Sequence, residues 1–205
     1  MPLSCPIKYL AGLVCLLAIS DTAAAKEPVC GPAEEAVAQA ALKSAKTALD
    51  AALKALDNPT AEDLKKLDAW LGVNASNAAA KLREKLARVR TFSDAVTFRC
   101  AVKTDAKIGD VYAYVDPDKS FNVVLGAFFF GAPDKGYCSK PGILVHEISH
   151  FTLAGATKDP KIYGPEEALK LAASSPGAAQ NNAENFEYFV ESLAFSLSAA
   201  NTKCG

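Results

Sequence analysis

Residues 145–164 read VHEISHFTLAGATKDPKIYG and hold His146 and His150, the two histidines of the 205-residue chain. Four positions apart on a helix, their imidazoles project from one face, with Glu147 beside them. The pattern suits zinc: neutral imidazoles hold the ion, an open position takes water, and the carboxylate removes that water's proton. Ile143, Leu144, Val145 and Ile148 would seat the helix in a core and give the ligands a rigid platform. A catalytic zinc takes three protein ligands, so with no further histidine the third must be acidic. Six residues past His150, where another histidine could stand, is Ala156. The candidates are Asp159, just beyond a bend at Gly155, and Glu184, Glu187 or Glu191 on the next long helical stretch.

Composition bounds what such a site could serve. At 205 residues and 50% apolar, one domain with a full core is the default. A net charge of −1, with no basic run beyond the mixed stretch 81–90, leaves no electrostatic footprint for nucleic acid or an anionic membrane. Residues 1–25 have the order of a secretory signal peptide: Lys8, an apolar run over 9–19, then Ala23-Ala24-Ala25 before Lys26. Cleavage there leaves one domain, residues 26–205, in a secreted or periplasmic setting and free of the membrane. Cys5 and Cys15 leave with the signal, and Cys30, Cys100, Cys138 and Cys204 imply two disulfides. Of the three possible pairings, the expected one is Cys30–Cys100 with Cys138–Cys204, tying the first helix to the sheet and the C-terminal tail to the histidine helix.

Residues 32–90 read as helical scaffold. Pro32 opens an Ala/Leu-rich segment in which Val37, Leu42, Leu49, Leu53 and Leu56 share a stripe, closed by Asn58-Pro59. Thr60 and Asp63 resemble a capping box ahead of Leu64, Leu67 and Leu71, and Gly72 stops that helix. A third helix is expected over 78–89. Stretches 95–102, 109–115 and 121–130 are rich in Val, Phe and Tyr and read as strands, with Asp116-Pro117-Asp118 as a turn. Helix returns from Ser139, with Pro141 near its start and Gly155 at its stop, then over 165–173 and 179–199. This is an α+β fold, mostly helical, with a small, mainly antiparallel sheet. Within that sheet, an edge strand over 122–126 would pair with an extended peptide.

The run His146-Glu147-x-x-His150-Phe151-Thr152, then Ala156-Thr157-Lys158-Asp159, Tyr163-Gly164 and Asn182-Ala183-Glu184-Asn185-Phe186-Glu187-Tyr188-Phe189, resembles the aspzincin metallopeptidases. Within them it is most similar to the peptidyl-Lys metalloendopeptidases, relatives of deuterolysin. The likeness runs from Cys30 to about Glu191 and takes in the Ala-rich first helix, Phe98-Arg99-Cys100 and Gly126-Ala127-Phe128. It implies a zincin-like fold and one zinc ion per chain held by His146, His150 and Asp159. Glu147 is then the general base, and Tyr163 donates to the developing oxyanion. Glu184 and Glu187 are implied to line the pocket for the residue after the scissile bond; at i and i+3 they face one way and would attract a lysine ammonium.

The implied activity is that of a secreted zinc endopeptidase, acting as a monomer on protein or peptide substrates and cutting on the amino side of lysine. The chain departs from the family pattern in three places. Pro160, Lys161 and Ile162 separate Asp159 from Tyr163 where two residues are usual, and Ala156 stands where glycine is preferred. Glu184 replaces a shorter aspartate, which would make the pocket shallower and weaken its lysine preference or share it with arginine. Two other readings compete: an exported binding or inhibitory protein on the same scaffold with little turnover, and a zincin whose third ligand is Glu187 or Glu191.

Overall fold

The computed structural model describes residues 28–73, 76–101, 111–200 and 202–204; the expected signal peptide and the stretch 102–110 lie outside them. Helix α1 (Pro32–Asp57) starts at a proline, whose missing N–H would have been an orphan there, and the Glu34 carboxylate accepts from the Gly31 N–H at 2.9 Å. Its core face is alanine more than leucine. Ala38, Ala41, Ala45, Ala48 and Ala52 are buried with Leu42 and Leu49, whereas Val37 is exposed and Leu53 and Leu56 are only partly buried. Small side chains let three later helices approach α1 closely. Helix α2 (Ala61–Leu71) carries the expected box: Asp63 N–H donates to Thr60 Oγ1 at 3.2 Å, and Thr60 N–H donates to the Asp63 carboxylate at 3.0 Å. Gly72, at φ +59°, closes it by donating to the Asp68 carbonyl. Leu67, Trp70 and Leu71 are buried, but Leu64 faces solvent. Helix α3 (Ser76–Phe92) is longer than its apolar pattern suggests.

Strands β1 (Thr97–Cys100), β2 (Ala113–Val115) and β3 (Asn122–Leu125) form one sheet in the order β1-β3-β2. β3 runs parallel to β1, with Phe98 beside Val123, and antiparallel to β2, with Tyr114 beside Val124. The sheet is therefore mixed rather than mainly antiparallel. β3 is also not the expected edge strand: both its sides are paired, and Val123, Val124 and Leu125 are all buried, as suits a central strand. β2 is the edge. The Phe-rich run does not continue as strand, because Gly126 passes against the Val111 carbonyl, where a Cβ would come within 2.1 Å. Residues Ala127–Gly131 turn there into a short helix, α4.

Helix α5 (Lys140–His150) is buried at every position from Pro141 onward and stops at His150, ahead of the Gly155 stop that the pattern suggests. Helices α6 (Pro165–Ser174), α7 (Pro176–Ala179) and α8 (Ala183–Ala194) follow, and α8 packs on α5, α1 and α2. At the α5–α8 seam, Glu191 is 1% exposed, and its carboxylate accepts from Ser139 N–H (2.9 Å), Ser139 Oγ (2.6 Å) and Cys138 N–H (3.1 Å). It thereby satisfies donors at the α5 N-terminus. Both expected disulfides form, Cys30–Cys100 and Cys138–Cys204, across sequence separations of 70 and 66 residues. By chain-entropy arguments each stabilises the fold by roughly 4 kcal/mol. Among the described residues no helix is long and apolar enough to cross a membrane.

A Cβ on Gly142 would lie 1.9 Å from Glu191 Oε1. Gly142→Ala is therefore expected to lower the unfolding free energy by about 3 kcal/mol, because the methyl must displace a buried carboxylate from its donors. Urea unfolding of the variant beside the wild type measures this.

Candidate metal centre and substrate cavity

His146 and His150 are 8% and 9% exposed, with ring centroids 4.9 Å apart. After α5 the chain doubles back tightly. Gly155 passes the Ser149 carbonyl so closely that a Cβ would lie 2.4 Å from it, Ala156 adopts φ +52°, and Thr157 N–H donates to Ser149 O at 3.1 Å. A left-handed alanine costs about 1 kcal/mol where glycine would be unstrained. Lys158 then bridges to the start of α8: its N–H donates to Asn181 O at 2.8 Å and its carbonyl accepts from Ala183 N–H at 3.0 Å. These bonds set Asp159 with Oδ1 3.3 Å from His146 Nε2 and Oδ2 3.1 Å from His150 Nε2.

Each ring uses its other nitrogen on the protein. His146 Nδ1 is 3.2 Å from Glu187 Oε2, and His150 Nδ1 is 3.1 Å from the Thr157 carbonyl. The Ser149 hydroxyl donates to His146 O at 2.6 Å, and Thr157 Oγ1 lies 2.6 Å from Ser149 Oγ. Holding Nδ1 on a carboxylate or backbone carbonyl is how metal-binding histidines are oriented. It turns both Nε2 atoms toward Asp159, and one ligand atom from each of the three residues lies within 4.8 Å of the others. Two imidazoles and a carboxylate form a donor set suited to zinc. Glu147 is 6% exposed and its Oε2 has no hydrogen-bond partner among the described residues. A buried carboxylate oxygen in that state is unfavourable unless something polar completes it, so the cluster fits an ion with a water beside Glu147. His146, Glu184 and Glu187 also meet in space, but Glu187 stands at Nδ1, on the other side of the ring from Asp159, and Glu191 is engaged by Ser139 and Cys138.

A cavity of about 600 Å³ opens at His146, Glu147 and Asp159 and extends past Tyr163, Glu184 and Glu187. A second, of about 280 Å³, lies toward Val115 and Pro117, and Ala113, Glu147 and Asp159 line both. β2 thus runs alongside the cluster. Among the described residues four carboxylates line the larger cavity (Glu147, Asp159, Glu184, Glu187), and neither lysine nor arginine does. Glu184 Oε2 accepts from Gly164 N–H at 3.2 Å and from the Tyr188 hydroxyl. Tyr163 lies on the wall, 64% exposed; Lys161 at φ +59° and Gly164 at φ +87° fold the extra residue before it into a turn. The asparagines of the same segment serve the scaffold: Asn185 Nδ2 donates to the Trp70 and Ala168 carbonyls, and Asn182 Nδ2 to Asn185 Oδ1. No spacing rule points to Ser149, Thr157 or Tyr188 as supports, although Thr157 and Tyr188 stand inside the quoted motifs. For Glu191 the signal is its place one turn after Glu187.

Burial dominates the electrostatics. It raises the Glu187 carboxyl to about 7 against the pull of His146, and it raises Glu147 against His146 and His150. Glu191 rises well above the usual carboxylate range through burial and the charge of Glu187. Burial also pushes the Tyr188 phenol far up, helped by Glu187 and Glu184, so it stays a neutral donor. Burial would lower His146, but its hydrogen bonds with Asp159 and Glu187 outweigh this and hold it well above its ordinary value. Burial opposes ionisation of Asp159, yet the hydrogen bonds from His146 and His150 keep it far below the usual range.

The fold is that of a zinc-peptidase-like domain. A solved zinc peptidase from Grifola frondosa superimposes with a TM-score of 0.70 at 30% identity, over 80% of this chain and 97% of that one. Residues 56–191 match the family profile of lysine-specific metallo-endopeptidases, the aspzincins, and the chain belongs to that family. It is similar to the peptidyl-Lys metalloendopeptidase of Pleurotus ostreatus, at 32% identity over 164 residues, covering 79% of this chain and 94% of that protein. It is also similar to an extracellular protease of Aeromonas hydrophila, at 33% identity over 139 residues, covering 67% of this chain but spanning only 38% of that protein.

Raised groups bind more protons folded than unfolded, so His146, Glu147, Glu187 and Glu191 all make the metal-free chain less stable as pH rises. For Glu187 the loss runs from 4.5 to about 7, and for His146 it begins at 6.5. Asp159, held low, acts in the opposite sense, its contribution being lost only as pH falls below 3.8. The Tm of the metal-free chain is expected to fall between about pH 5 and pH 8, each kcal/mol amounting to about 2–4 °C. Zinc should flatten or reverse the trend, because its ligands must be deprotonated. Scanning calorimetry across that range, with and without zinc, tests both statements.

Proposed function

We propose that the chain is a secreted zinc endopeptidase that cleaves proteins and peptides on the amino side of lysine. The observation that carries this reading is the convergence of two imidazole Nε2 atoms on the Asp159 carboxylate, beside the unpartnered Oε2 of Glu147, at the mouth of a cavity lined, among the described residues, by carboxylates and by no basic side chain other than histidine. Export is supported by the two disulfides, by the order of residues 1–25 and by the extracellular relative.

His146, His150 and Asp159 would hold one zinc ion, which when bound supplies Lewis acidity, lowering the pKa of a water toward neutrality and polarising the scissile carbonyl. Glu147 would take the water's proton and deliver it to the departing amine; its burial raises it toward working pH, which suits a group that must both accept and release a proton. The Tyr163 hydroxyl would donate to the developing oxyanion, a kind of contact worth about 3 kcal/mol. β2, not β3, would pair with the extended substrate, because β2 is the edge strand beside the cluster. The lysine ammonium would meet Glu184 and Glu187. Gly164 and Tyr188 hold Glu184 by one oxygen, which would draw its extra methylene back against the wall.

Mass spectrometry of the new termini left by the zinc-loaded chain on a denatured protein mixture is expected to show cuts before lysine. Glu147→Gln should retain zinc and leave no cuts; stoichiometric zinc without cutting in the wild type would sink the reading. Two further variants separate the acidic residues of α8. Glu187→Ala should weaken zinc binding by about 10- to 100-fold in a chelator competition, having lost the partner of His146 Nδ1. Glu184→Gln should leave zinc affinity in place and lower the preference for lysine; an unchanged cleavage profile counts against its role.

A further inference from the structure

We infer that the substrate cavity continues into a second subsite, walled by aromatic and other uncharged side chains, that takes an apolar side chain of the substrate within the two residues following the lysine. The inference rests on the lysine-directed peptidase reading above. A recess of about 280 Å³ lies beside the larger cavity, and Tyr112, Phe128, Cys138 and Cys204 line both. Ala132 and Pro133 close it, and among the described residues no charged side chain lines it and none of the histidine cluster reaches it.

Its entrance is made by two aromatic rings. Tyr112 and Phe128 stand edge to face with centroids 5.7 Å apart, and they are 48% and 47% exposed. The fold elsewhere buries Phe129, Phe151, Phe186 and Phe189 almost completely. A paired apolar surface left open at a cavity is one whose covering by a ligand side chain is favourable. The walls are also fixed in advance. Gly126 N–H donates to the Tyr112 carbonyl at 2.8 Å and Phe128 N–H to the Val111 carbonyl at 3.3 Å. On the facing side, Cys138 is tied both to Cys204 and, through its N–H, to Glu191. Little ordering is left for a substrate to impose.

β2 sets the direction. Val111, Tyr112 and Ala113 border the larger cavity with Glu184 and Glu187, whereas Ala113, Tyr114 and Val115 border the cavity on the other side of the cluster. A peptide paired with β2 whose lysine meets Glu184 therefore continues toward Tyr112. At about 3.3 Å per residue, the next one or two residues pass over the recess. Phenylalanine, leucine or methionine would fill it. Asparagine would give up more hydration there than an apolar side chain of similar size, and aspartate would add charge beside a cavity already holding four carboxylates.

The test is a peptide series cut before one lysine, with each of the two following positions set in turn to Phe, Leu, Asn or Asp, assayed with the wild type, Phe128→Ala and Tyr112→Ala. At one of the two positions kcat/KM is expected to be about fivefold or more higher for Phe or Leu than for Asn, and that ratio should collapse toward one in Phe128→Ala. Tyr112→Ala, at a second exposed ring, guards against a local defect of one variant. Cutting before lysine with equal rates across both positions overturns the subsite and leaves the peptidase reading standing; no cutting before lysine overturns both. A flat profile together with self-association that Phe128→Ala abolishes would assign the rings to a second copy of the chain instead.

Discussion

The seam between α5 and α8 is closed by two carboxylates one turn apart on α8. Glu191 takes the donors at the start of α5, and Glu187 reaches the ring of His146 one turn short of its end. Because α5 is buried along nearly its whole length, it cannot adjust by leaning toward solvent. The direction of both imidazoles is therefore set by how α5 is gripped. Gly142 is the place where the grip is tightest, with no room for a methyl group between the helices. The Asp159 loop depends on the same pair of elements, since Thr157 bonds back to α5 and Lys158 to the start of α8. Loosening the seam would move all three groups proposed to hold the metal.

Local chemistry was legible in the sequence where a single residue decides the outcome. Thr60, Asp63 and Gly72 bound α2 as read, and the two disulfides pair as expected. What failed were inferences from apolarity alone. The stripe of large side chains on α1 points partly to solvent, because a helix packed by three others selects for alanine, which periodicity counts weakly. The run 121–130 reads as one strand, but a backbone approach at Gly126 breaks it, and whether β3 is central or edge depends on a parallel partner distant in sequence. At the site, the spacing of His146, Glu147 and His150 was sufficient to nominate them. Asp159 needed the family resemblance, since a loop's return path is written in no periodicity.

The cluster also gathers more negative charge than a low-dielectric site can hold alone. Glu147, Asp159, Glu184 and Glu187 line one cavity with no lysine or arginine among the described residues, and Glu191 lies just behind it. Burial first, and neighbouring negative charge second, drive some of these groups to keep protons, which is the direction taken by Glu147, Glu187 and Glu191. A divalent cation at the imidazole end and an ammonium at the Glu184 end would each relieve part of this repulsion. The same field can thus favour the proposed cofactor and the proposed substrate without a separate device for either.

Glu187 joins those two ends. The i, i+3 relation placed it beside Glu184 as a second wall of a lysine pocket, and both do line the cavity. Spacing along one helix says which side chains share a face, not what approaches that face from across the seam. Here it is His146, so one oxygen of Glu187 is committed to the ring that faces Asp159 with its other nitrogen. An ammonium approaching Glu187 would share a carboxylate that already orients a proposed metal ligand. Occupancy of the lysine pocket would then be felt at His146 through one side chain. Glu184, close to His146 but held by Gly164 and Tyr188 rather than by either imidazole, would be left as the group that tunes which cation enters.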